Sequence, residues 1–219
     1  MKKVIKKIDA NNNGNISLVQ YLVEHGADAN RGNIDGETPL SVACLNENEV
    51  LIVYLVEHGA DLNKENNSGE IPLLKSCKIR NINIANYLVE YGTDVNKGDH
   101  LGMNPLLDAC YNGVILLVKF LIEYGADVNR ENRKGETLLL YACSYDIELV
   151  KYLVEHGADV NKGDYRGVTP LIEASRNKNE ILIEYLVEHG AYVNKKDING
   201  NTPLLESFSN DGYIRYKYT

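Results

Sequence analysis

The chain has 219 residues, 44% of them hydrophobic and 25% charged, with a formal net charge of -8 at pH 7. That balance belongs to a folded rather than a disordered chain, and the acidic excess argues against a phosphate backbone as the main partner. No apolar run follows the basic start Met1-Lys2-Lys3-Val4-Ile5-Lys6-Lys7, which argues against a secretory signal, and no stretch approaches the roughly 20 apolar residues of a membrane helix.

In chain order, the first feature is Asp9-Ala10-Asn11-Asn12-Asn13-Gly14-Asn15-Ile16-Ser17-Leu18-Val19-Gln20, which has the oxygen donors and sixth-place glycine of a calcium loop. Such a loop needs a bidentate glutamate at its twelfth place. Here that place is Gln20, and the segment is read instead as a helix–turn–helix with its turn at Asn13-Gly14. The phrase Tyr21-Leu22-Val23-Glu24-His25-Gly26-Ala27-Asp28 comes next and returns as Tyr54 to Asp61, then with small changes before Gly92, Gly125, Gly157 and Gly190. The spacings from Gly26 onward are 33, 33, 33, 32 and 33 residues. A second series, Gly36, Gly69, Gly102, Gly135, Gly167 and Gly200, keeps the same register ten residues later. A fixed period of this length is the mark of a repeat architecture.

Each unit predicts two short helices and an extended finger. Thr38-Pro39-Leu40, Thr169-Pro170-Leu171 and Thr202-Pro203-Leu204 are helix starts, where a hydroxyl caps free amides and proline presets φ. Asn104-Pro105 does the same. Ile147, Leu149, Val150, Leu153 and Val154 lay an apolar stripe along one face of a second helix. That helix ends at a glycine suited to a left-handed residue. The polar stretch after it, rich in Asn, Asp, Lys and Gly, predicts a turn-tipped finger. A helix pair this short cannot bury its stripe alone, so neighbours must stack.

On Gly-x-Thr-Pro-Leu, the following Ala-Cys, and Leu-Val-Glu-His-Gly-Ala-Asp-Val-Asn, the chain resembles the ankyrin-repeat family over essentially its whole length. The resemblance implies an all-α solenoid of stacked antiparallel helix pairs with β-hairpin-like fingers. It divides the chain, read as one domain over 1–219, into an N-terminal unit (1–32), repeats at 33–65, 66–98, 99–131, 132–163 and 164–196, and a partial C-terminal unit (197–219). It also implies a monomeric protein-binding scaffold whose fingertips and exposed first-helix side line a concave surface.

Several departures from the family pattern stand out. The histidine that usually follows Thr-Pro-Leu is replaced by Ser41, Leu74, Leu107, Leu140, Ile172 and Leu205, so apolar packing is expected to substitute largely for a polar tie. Ile71 loses a helix cap, at a cost of about 1 kcal/mol, and Leu138 replaces the opening proline. The fifth unit is one residue short near Ser144-Tyr145-Asp146, which predicts a tightened turn. Tyr213, Ile214, Tyr216 and Tyr218 offer an abbreviated second helix, and the early stop favours a fragment of a larger protein. An anchoring or targeting module of an enzyme, channel or degradation adaptor is therefore the alternative function.

Cys44, Cys77, Cys110 and Cys143 share one repeat site. Copies one helix-packing distance apart are too far for a disulfide, so they are expected to be buried reduced thiols, as suits a cytoplasmic protein. His25, His58, His156 and His189 also share a site, too dispersed for one metal, and are expected to cap helices and line the groove. The repeated aromatics Tyr21, Tyr54, Tyr87, Phe120, Tyr152 and Tyr185 are expected to pack between units. No nucleophile–base pair or phosphate loop stands out; the expectation is no catalysis, no cofactor and no metal.

The residues that vary while the repeat pattern stays fixed carry the binding expectation. Ile34, Asp35, Leu45, Asn67, Lys78 and Ile79 occupy the early sites. His100, Leu101, Met103, Tyr111, Arg133, Lys134, Tyr141, Tyr145, Tyr165, Arg166 and Arg176 follow, concentrating Tyr and Arg, the residues enriched at binding hot spots. An acidic partner segment is expected on Arg133, Lys134, Arg166 and Arg176.

Overall fold

The computed structural model describes residues 13–208, and the chain divides into two compact units, Met1–His100 and Leu101–Thr219. The first contains α1 (Asn13–Glu24), α2 (Pro39–Leu45), α3 (Glu49–Glu57), α4 (Pro72–Lys78) and α5 (Ile82–Glu90). The second contains α6 (Pro105–Tyr111), α7 (Ile115–Glu123), α8 (Leu138–Ala142), α9 (Ile147–Glu155), α10 (Pro170–Arg176), α11 (Glu180–Glu188) and α12 (Pro203–Phe208). In each unit the odd and even helices pair, and successive first helices, α2 on α4 and α6 on α8 on α10 on α12, lie in contact. Among the described residues there is no sheet; Glu131 and Thr137 form one isolated antiparallel bridge. Asn13 and Gly14 begin α1 instead of forming the expected turn. The first part of the calcium-like segment and the tyrosines at 213, 216 and 218, with Ile214, lie outside the described residues.

The predicted helix starts are met by side-chain caps. Thr38, Asn104, Thr137 and Thr169 accept from the amides of Ser41, Leu107, Leu140 and Ile172. Ile71 makes no cap but is wholly buried, so burial of its side chain offsets the lost hydrogen bond. Leu138, in place of proline, is likewise buried.

The one-residue shortening of the fifth unit, 132–163, has a specific structural answer. In other repeats the inter-helix turn passes through a left-handed residue, Glu47 (φ 53), Arg80 (φ 60), Gly113 (φ 72) or Lys178 (φ 54). The next amide then reaches back to the first helix, as Asn48 N does to Ala43 O at 3.0 Å and Asn179 N to Ala174 O at 3.1 Å. The 132–163 unit omits that residue. Asp146 N bonds the equivalent carbonyl, Ala142 O, at 3.0 Å, and the Asp146 side chain caps α9 directly. The turn tightens by one residue while both of its anchors stay in place.

Repeats within a unit are stitched by more than apolar packing. Leu140, Val168 and Ile172 do form a buried cluster at the site where the family places histidine. A polar tie also exists, carried by the asparagine of Asp-x-Asn. Asn161 donates to Gly190 O (2.9 Å) and accepts from Tyr192 N (2.8 Å). Asn129 does the same with Gly157 O and Asp159 N, and Asn30 with Gly59 O and Asp61 N. Apolar packing thus occupies the histidine site as expected, and the finger asparagines add a polar tie that the expectation did not include.

The other repeated sites find local partners. The four cysteines are thiols, three of them buried, and burial pushes Cys44 and Cys110 up to about 12. His25, His58, His156 and His189 each place Nδ1 2.6–2.7 Å from the carbonyl four residues back. Their rings lie 3.9–4.0 Å from the tyrosine ring on the same turn. The repeated aromatic thus makes an i, i+4 pair along its own helix, and Tyr54 also reaches the preceding repeat, its hydroxyl donating to Gln20 O at 3.4 Å. Lys119 over the Tyr152 ring, at 5.0 Å, is a contact of the inter-repeat kind.

Candidate protein-interaction surface

Each finger is shaped by an Asx residue at its base. Asn132 Oδ1 accepts from the amides of Lys134 (2.8 Å) and Glu136 (3.1 Å). Asp164 Oδ1 accepts from Arg166 and Val168, both at 2.9 Å, and Asn66 and Asp197 repeat the arrangement. These bonds spend the finger's polar groups internally and leave the two tip residues projecting.

Within a unit, neighbouring tips meet through single backbone bonds. Asn67 N donates to Asp35 O and His100 N to Ser68 O, each at 2.9 Å. In the second unit Arg133 N donates to Leu101 O (3.1 Å), Tyr165 N to Lys134 O (2.9 Å) and Ile198 N to Arg166 O (2.8 Å). The close approach explains two glycines. A Cβ on Gly69 would stand 2.6 Å from the His100 ring, and one on Gly135 would stand 2.5 Å from the Tyr165 ring.

The expected binding residues fall into distinct settings. His100 is exposed at a fingertip of the first unit. In the second unit, Leu101, Arg133, Lys134 and Tyr165 are exposed tip residues, and Met103 is half-buried. Tyr111 and Tyr145, on the first-helix side, are 56% and 63% exposed. Burial and the nearby Tyr111 phenol raise the Tyr145 hydroxyl above the ordinary tyrosine value. Tyr111 meets Tyr141 edge-on, with centroids 6.2 Å apart.

Tyr141, Arg166 and Arg176 are engaged within the protein. Tyr141 is 8% exposed, and its hydroxyl donates to Glu136 Oε2 at 2.8 Å. That oxygen also accepts from Asn132 at 2.7 Å, so the phenol helps fix the finger that carries Arg133 and Lys134. Arg166 pairs with Asp164 at 2.7 Å. Arg176 spans two repeats, pairing with Glu173 at 2.9 Å and Glu206 at 3.0 Å.

In the first unit the corresponding cations are also committed. Lys75 pairs with Glu37 at 2.7 Å and with Glu70, and Lys78 pairs with Glu70 as well. Burial pushes the Glu70 carboxyl up, but hydrogen bonds from Lys75, Lys78 and Asn66 outweigh it and bring it to about 2. These networks and the asparagine stitches went unread in the sequence. Recurrence of Asn at one repeat position was the available signal for the stitches. The ion networks differ from repeat to repeat and leave no such mark.

Among the described residues no group of histidine, cysteine, aspartate and glutamate is placed to hold a metal, and no helix is long and apolar enough to cross a membrane.

The family model for ankyrin repeats (3 copies) matches residues 8–99 and 106–197. Among solved structures, the chain is similar to the ankyrin repeat domain of Bcl-3, a member of the IkappaB protein family, with 26% identity and a TM-score of 0.78 over 91% of this chain and 92% of that one. It is also similar to the human ASB11 ankyrin repeat domain, with 27% identity and a TM-score of 0.72 over 91% of this chain and 89% of that one. No curated protein matches the chain. With the 33-residue register, the paired helices and the stitched fingers in place, the chain belongs to the ankyrin-repeat family.

Proposed function

We propose that this chain is a non-catalytic scaffold, cytoplasmic and monomeric, that holds a partner protein on its finger and first-helix surface. Ankyrin repeats are in general protein–protein interaction modules. The observation that carries the finer reading is the contrast between side chains that recur in every repeat and exposed ones that vary from repeat to repeat. Repeated residues are spent on caps, stacks and stitches, whereas Tyr111, Tyr145, Tyr165, Arg133 and Lys134 project into solvent. Large amphipathic and cationic side chains held on a rigid scaffold are what binding hot spots are made of. Leu101 and Met103 extend the proposal to neighbouring positions of the second unit, and His100 is proposed separately as a fingertip contact of the first; Tyr141 and Arg176 enter it as residues that position others, and Arg166 as a partly committed contact.

A photo-crosslinking amino acid placed at Tyr145, and separately at the exposed second-helix residue Ile181, tests the reading in host lysate. Discrete protein adducts from Tyr145 with none from Ile181 support it. Adducts from Ile181 alone would move the interface to the second helices and overturn it.

A further inference from the structure

The proposed surface of the second unit carries two exposed cations on a chain that is acidic as a whole. Net charge is -8, yet the carboxylates around the fingers at 130–134 and 163–167 are spent inside the protein. Glu131 pairs with Lys162 at 2.9 Å, Asp164 with Arg166, and Glu173 and Glu206 with Arg176. Glu136 is 5% exposed and bonded to Asn132 and Tyr141. Arg133 and Lys134, by contrast, are exposed, and no carboxylate of the described residues lies within ion-pair distance of either. They place two positive charges side by side at one fingertip.

Beside these cations lies an apolar platform. Asn132, next in sequence to Arg133, bonds Glu136, which holds the Tyr141 hydroxyl; the Tyr141 ring meets Tyr111, and Tyr145 is exposed just beyond the same short helix, α8. A chain of contacts therefore links Tyr111 to the finger that carries the two exposed cations. Tyr165, seated over Gly135 with its amide on Lys134 O, adds a third ring beside the cations.

Resting on the reading of this surface as the partner site, we propose that it takes an extended acidic segment of a partner protein, its carboxylates on Arg133 and Lys134 and an apolar or aromatic side chain on Tyr111 and Tyr145. A carboxylate matches the guanidinium fork, and an aromatic ring gains from offset contact with tyrosine. Nucleic acid fits less well, because two uncommitted cations on an acidic chain give little counterion release.

Fluorescence anisotropy with the full chain provides the test. The probe is a fluorescein-labelled peptide of repeated Glu-Glu-Ser-Phe; its comparators are the Gln-for-Glu peptide, the Ala-for-Phe peptide and a single-stranded oligonucleotide. We expect binding of the acidic aromatic peptide that weakens with salt. Affinity should fall about tenfold or more in Arg133→Glu/Lys134→Glu and in Tyr111→Ala/Tyr145→Ala. The first-unit variant Lys64→Glu should leave it unchanged, with matched thermal unfolding for all variants. No binding, equal binding of the Gln-for-Glu peptide, equal binding by the charge-reversed variant, or displacement by the oligonucleotide would each overturn the proposal. Crosslinking of a protein at Tyr145 together with failure of the acidic peptide would leave the surface standing and remove only its acidic partner.

Discussion

At the slot between the two helices of a repeat, Lys178 adopts φ 54 and is exposed, whereas the fourth repeat uses Gly113. A side chain in the left-handed region is strained by contact of its Cβ with the carbonyl, an effect only partly offset by glycine's larger unfolded-state entropy. Lys178→Gly should stabilise the chain by about 0.5–1 kcal/mol in urea unfolding, and a loss would contradict that account of the slot. Glu70 has the opposite character, a side chain held by its partners. Its folded value of about 2 lies below the ordinary 4.5, so its contribution is complete above pH 4.5 and is lost as pH falls toward 2. Glu70→Gln should therefore be less stable than the parent at neutral pH, and the difference should shrink through that window; a pH-independent difference would show that the cations contribute nothing. The shared registers of cysteine and histidine were legible in the sequence because each site recurs. The burial of Tyr141 was not, because it depends on its hydroxyl donating to Glu136 and accepting from the Asn132 amide at the finger base. Nor was the engagement of Arg176, whose partner Glu206 lies a repeat away and has no marker in the repeat pattern.

At the scale of the element, helix starts and ends were legible because proline, threonine and glycine act through local backbone geometry. The caps on Thr38, Asn104, Thr137 and Thr169 follow directly from them. The tightened fifth turn was also legible, but its mechanism was not. Only the structure shows that the missing residue is the left-handed one and that Asp146 N finds the same carbonyl without it. Inserting a glycine between Tyr145 and Asp146 should then restore the longer turn at little cost, within about 0.5 kcal/mol of the parent by denaturant unfolding. A loss of about 2 kcal/mol or more would mean that the short turn is required by packing around α8 and α9. The start of α1 was misread. Asn-Gly is a strong turn signal in isolation, yet here those residues begin a helix.

For the whole molecule, the period set the fold and the family, since a repeat that recurs from end to end leaves few alternatives. Function was less legible. Repetition identifies residues that serve the stack, and the remainder holds both partner contacts and private internal networks such as Arg176 with Glu173 and Glu206. Separating the two needs distances and exposure, which leave Tyr111, Tyr145, Arg133, Lys134 and Tyr165 as the projecting set. The central claim is that this set binds a partner protein. Affinity capture from host lysate should compare the parent with a Tyr111→Ala/Tyr145→Ala/Arg133→Ala variant of matched unfolding temperature. The account predicts a protein retained by the parent and lost by the variant; equal retention by both would contradict it.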